Sequence, residues 1–103
     1  MTIVVRVAKD FTPHPGGRTK LDGDYSADLF LEKILIPKYK EAQAADVKLL
    51  VDLDGSAGYA ASFLHQVFWT LECQFPGAKD NLIFKSLEEP YLISDIREYM
   101  NGE

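Results

Sequence analysis

The sequence predicts an α/β fold, a small single-layer and mainly parallel sheet with helices packed on it in the order β-α-β-α-β-α. Two observations carry that expectation. Short β-branched or apolar runs at residues 2–8, 47–53 and 81–85 alternate with longer segments of helical periodicity. The middle run, Val47 to Leu53, is apolar without alternation, which suits a central strand covered on both faces. A length of 103 residues predicts one domain, residues 1–103, around a single core.

Each element has its own local cause. Thr2 to Ala8 (TIVVRVA) is rich in β-branched residues and reads as the first strand. Residues 9–25, KDFTPHPGGRTKLDGDY, hold enough Pro, Gly and Asp to predict a long loop or a short hairpin near Gly16-Gly17. Loops of that length in compact domains are often functional. Ser26 is placed to cap a helix running to about Ala44, with Asp28 complementing the dipole in its first turn. Phe30, Ile34 and Leu35 supply its buried stripe, and Pro37, lacking a backbone donor, should kink or restart it. After the second strand, the turn Asp54-Gly55-Ser56-Ala57-Gly58 delivers a helix from about Gly58 to Phe75, ended by Pro76-Gly77. Asn81 to Lys85 is the third strand. A last helix from Pro90 to Met100 places Leu92, Ile96 and Tyr99 on one face.

The helix at 58–75 has two unlike faces. At about 100° per residue, Ala60, Leu64, Val67, Phe68, Leu71 and Phe75 form a broad apolar face that must lie on the sheet. Ser62, Gln66, Trp69 and Cys73 fall in a narrow sector on the opposite side. A tryptophan there leaves a large apolar ring in water unless another helix of the domain covers it or a partner docks on it. Gln66, Trp69 and Cys73 are therefore candidate partner-binding residues.

Composition narrows the function classes. Sixteen acidic and eleven basic residues give a net charge of -5, which argues against a nucleic-acid surface. Lys38 and Lys40 are diluted by Glu32 and Glu41, so the sequence shows no basic stripe. One cysteine, Cys73, allows no internal disulfide and suits a reducing, cytoplasmic compartment. Cys73, His14 and His65 are too few for a structural zinc site, and no cofactor is implied. The start, MTIVVRVAKDF, is charged too soon for a signal peptide, and no apolar run reaches membrane-spanning length. Gly16, Gly17 and Arg18 follow the first strand and could cradle a phosphate together with Asp54, Gly55 and Ser56 of the second turn. The same residues also read as a tight turn with Arg18 paired to Asp22, Asp24 or Asp54.

Several motifs resemble a known family. Pro15-Gly16-Gly17-Arg18, Gly23-Asp24-Tyr25-Ser26-Ala27-Asp28-Leu29-Phe30, Asp52-Leu53-Asp54-Gly55 and Gly58-Tyr59-Ala60-Ala61-Ser62-Phe63-Leu64 look like the STAS domain, named for sulphate transporters and anti-sigma-factor antagonists. The likeness is closer to the small uncharacterised STAS-like proteins of bacteria and phages, and it spans Pro15 to about Phe68. In anti-sigma-factor antagonists a strand ending Asp-Leu-Ser precedes an Asp-Ser-Ser-Gly segment whose second serine is phosphorylated by a histidine-kinase-like partner. The resemblance implies a non-enzymatic regulatory module that binds such an ATPase, with Ser62 at the phosphoacceptor position. Ala60, Ala61 and Phe63 stand where that motif has aspartate, serine and glycine.

A second likeness competes. Asp52-Leu53-Asp54-Gly55 is similar to the Asp-x-Asp-Gly motif of haloacid-dehalogenase-like phosphatases, which implies a nucleophilic Asp52, an acid/base Asp54 and Mg²⁺. The later acidic pair that completes such a metal site has no room in this chain. The sequence thus leaves a protein-binding module as the leading expectation, with a phosphatase-like enzyme or a small-ligand domain as alternatives.

Overall fold

The computed structural model describes residues 3–12, 26–56 and 58–102. Three parallel strands, β1 (Ile3–Arg6), β2 (Leu49–Asp52) and β3 (Leu82–Lys85), pair in the order β1-β2-β3. Val5 lies opposite Val51, and Val51 opposite Phe84, so β2 is the interior strand. Because the strands follow one another in chain order, right-handed crossovers bring both connecting helical segments to the same face of the sheet. The α/β architecture predicted from the sequence is the one observed.

That one-sided arrangement corrects the expectation that β2 is covered on both faces. Ile3, Val5, Leu49, Val51, Leu82 and Phe84 are buried, whereas their alternating neighbours Val4 and Leu50 are only half-buried. Ile83, in the same row, is 47% exposed. The run of apolar residues in β2 therefore reflects an interior position rather than two covering layers.

The first helical segment is α1 (Ala27–Phe30), a π-helical turn at Leu31–Leu35, and α2 (Ile36–Ala44). Ser26 caps it as expected, its Oγ accepting the Leu29 N–H at 3.3 Å. Pro37 falls in the first turn of α2, where its missing N–H is tolerated. The wide turn just before it lets the Ile36 N–H reach back to the Leu31 carbonyl, and the helix restarts there. Phe30, Leu31, Leu35 and Tyr39 are buried, while Ile34 is only partly so.

Helix α3 spans Ala61–Gln74 and α4 spans Tyr91–Met100. Gly58 to Ala60 precede α3 as extended chain, so Ala60 is its exposed N-cap and not part of the buried face. Phe63 is buried in its stead, among the rings of Phe11, Phe30 and Tyr59. Leu64, Val67, Phe68 and Leu71 complete the face that meets the sheet. Burying each such side chain contributes roughly 1.5–3 kcal/mol. At the other end, Glu72 accepts the N–H groups of Gly77 (2.7 Å) and Lys79 (2.9 Å), which fixes the turn into β3.

Candidate functional site

Two regions hold the residues singled out from the sequence. The first is the carboxyl edge of the sheet. The register places Arg6, Asp52 and Lys85 in one row at the strand ends. Asp52 Oδ1 accepts the Asp54 N–H at 3.0 Å, and its Oδ2 lies 3.6 Å from Lys85 Nζ. Asp54 Oδ1 accepts the Glu88 N–H at 2.9 Å, and the Glu88 carboxylate accepts the Gly55 N–H in return. The backbone donors of Glu88 and Leu87 hold the Asp54 carboxyl below the usual aspartate range.

The turn itself is tightly braced. Gly55 adopts φ +91°, and a Cβ there would sit 3.3 Å from the Ala8 Cβ, so glycine suits both the backbone and the space. Ser56 Oγ donates to the Gly58 carbonyl at 2.8 Å and accepts the Gly58 N–H at 3.1 Å. The Tyr59 hydroxyl donates to the Leu53 carbonyl at 2.9 Å. Burial raises the Tyr59 phenol well above its ordinary range, with the nearby carboxylates adding to the shift, so it stays protonated. Asp54, Gly55 and Ser56 each have a hydrogen-bond partner from the protein in this turn. Gly16, Gly17 and Arg18 lie outside the described residues, and so does their expected approach to this turn. Among the described residues no group of three or more His, Cys, Asp or Glu side chains is placed to hold a metal ion.

The second region is the outward face of α3. Ser62, half-buried in the first turn, starts the ridge, and Cys73, exposed, ends it. Gln66 leans toward α1, its Nε2 donating to Asp28 Oδ1 at 3.3 Å. His65 leans the other way, its ring meeting Tyr99 of α4 edge-on at 5.3 Å, with Nδ1 buried and without a hydrogen-bond partner among the described residues. Trp69 remains 38% exposed between these flanks. Gly102 lies beside the ring: a methyl group there would lie 3.5 Å from Cζ3 and Cη2. The neighbouring helices therefore border the tryptophan without covering it.

Three contributors escaped sequence reasoning. Glu88 and Lys85 reach the edge from β3 and the loop that follows, and their only sequence signal is an acidic pair directly after a strand. Tyr59 was readable only as part of a longer helix. The chain matches no protein-family model, no curated protein and no solved structure.

Proposed function

We propose that this domain is a non-enzymatic regulatory module that binds another protein through the outward face of α3. The observation that carries this reading is Trp69, held 38% exposed in the middle of a helix whose opposite face is fully buried. Tryptophan supplies a large, rigid contact area and dominates binding energy when a partner desolvates it. Gln66 and Cys73 extend the surface along the same ridge. The Gln66–Asp28 hydrogen bond to α1 and the His65–Tyr99 ring contact with α4 hold the helix in place, so docking requires little reordering.

Ser62 is the switch position in this reading. A phosphate there would sit in the first turn of α3, where the helix dipole and free backbone N–H groups favour a dianion. It would also place about two negative charges on a surface that has to desolvate, which weakens docking. The STAS-like motifs point to a histidine-kinase-like ATPase as the partner, and the single cysteine, Cys73, suits a cytoplasmic setting. Among the described residues no helix is long and apolar enough to cross a membrane.

Affinity capture with wild-type and Trp69→Ala baits, read by quantitative mass spectrometry, tests this proposal. A nucleotide-binding protein retained by the wild type and lost with the variant, with phosphate found on Ser62, supports it. The rival phosphatase reading predicts Mg²⁺-dependent turnover of an aryl phosphate that Asp52→Asn abolishes. That result would displace the present one. The Asp52 and Asp54 oxygens already engaged by Lys85, Asp54 N–H and Glu88 N–H weigh against it.

A further inference from the structure

We propose that the domain also self-associates head to tail, the loop after β3 of one copy entering a basic groove beside β1 of the next. The groove has a volume of about 380 Å³. Val4, Ile34 and Pro37 give it an apolar lining, and Arg6, Lys33 and Lys38 bring three cations around it against the single carboxylate of Asp10. Lys38 pairs with Glu41 at 3.3 Å, and the Asp10 carboxylate accepts the Arg6 backbone N–H at 2.8 Å. Among the described residues, neither Arg6 nor Lys33 has an ion-pair partner. In a chain of net charge -5, this local excess of cations selects an acidic occupant with an apolar side chain.

The chain carries that occupant at the far side of the sheet. Leu87-Glu88-Glu89-Pro90-Tyr91 leads from β3 into α4, and within it Leu87 is 77% exposed and Tyr91 60% exposed. The loop is not loose. The Ser86 hydroxyl donates to the Glu89 carbonyl at 2.7 Å, and Asp54 and Gly55 bind Glu88 from the neighbouring turn. Leu87 is therefore held out in water by a fixed backbone, followed by two glutamates, and its docking loses little conformational entropy.

Strand order makes the fit intermolecular. The groove lies beside β1 and Leu87 follows β3, two strands away; Leu87 is 77% exposed and its loop is fixed by Asp54 and Gly55, so it does not fill the groove of its own copy. Leu87 of one copy meets Val4, Ile34 and Pro37 of the next, and the carboxylate oxygens of Glu88 and Glu89 that are not bonded to Gly55 and Tyr91 of their own copy meet Arg6 and Lys33. Two different surfaces in contact make a heterologous interface, which propagates instead of closing as a two-fold pair. One loop in one groove is a small, charge-dependent interface, populated at high concentration and weakened by salt.

The test uses two substitutions at exposed positions, Lys33→Glu in the groove and Leu87→Lys on the loop. By sedimentation equilibrium at up to about 1 mM protein, where an interface of this class is populated, the wild type should gain mass with concentration and lose it with salt. Each variant alone should stay monomeric. An equimolar mixture should form a 1:1 dimer and nothing larger, because each variant retains one intact half of the contact. In that mixture, isotope-labelled Leu87→Lys should show amide shifts at Lys33, Ile34 and Lys38. A monomeric wild type, a monomeric mixture, or self-association that survives either substitution would overturn the proposal.

Discussion

The two faces of α3 have nearly the same apolar character in places but opposite fates. Leu64, Val67, Phe68 and Leu71 are essentially removed from water against the sheet, whereas Trp69, only one residue after Phe68, keeps 38% of its surface exposed. The inward face is fixed by the core. The outward face has freedom to choose polar residues and holds a tryptophan nonetheless. Stability explains the first choice and not the second, and the proposed function assigns the second to binding.

Substitutions can break or sharpen that contrast. The largest effect should come from Phe68→Ala, which opens a cavity beneath α3 and removes the edge-on contact with Phe84 at 5.5 Å. It should destabilise the domain by about 3–5 kcal/mol in denaturant titrations. Trp69→Ala should lower partner affinity by about 2 kcal/mol or more while barely moving the melting temperature. Ser26→Ala should cost about 1 kcal/mol of stability through loss of the α1 cap, with no effect on binding at the outward face. Should that variant weaken binding as much as Trp69→Ala, the surface would extend onto α1.

The smallest effect concerns pH. Asp54 has its carboxyl held below the usual range by the Glu88 and Leu87 backbone donors, so its contact is complete above the unfolded aspartate value of about 3.9. It is lost as pH falls through the lowered folded value, in the acid range below about pH 4. The Glu88 amide shift, followed by NMR through that range, should show in the wild type a titration step that Asp54→Asn removes.

The strands and helices were legible because their causes are local. β-branched runs, the Ser26 cap, Pro37 and the Pro76-Gly77 stop each act within a few residues. The outward sector of α3 was legible too, since helical periodicity alone places Ser62, Gln66, Trp69 and Cys73 together. The open second face of the sheet was not, because an apolar interior strand looks the same with one covering layer or two. Ala60 was placed on the buried face because the helix starts three residues later than the periodicity implied, after the extended Gly58–Ala60 segment, and Phe63 was given no face at all. The links from Glu88 to Gly55 and from Lys85 to Asp52 join residues more than thirty positions apart, and only the register of the sheet brings them together.

The central claim is that Trp69 serves binding and not the core. Its most direct test is a paired measurement on Trp69→Ala, thermal melting of the free domain and calorimetric titration with the captured partner. The account predicts a melting temperature within a few degrees of the wild type, together with a loss of affinity of about tenfold or more. A melting temperature lowered as far as that of Phe68→Ala, with affinity unchanged in the folded fraction, would contradict it.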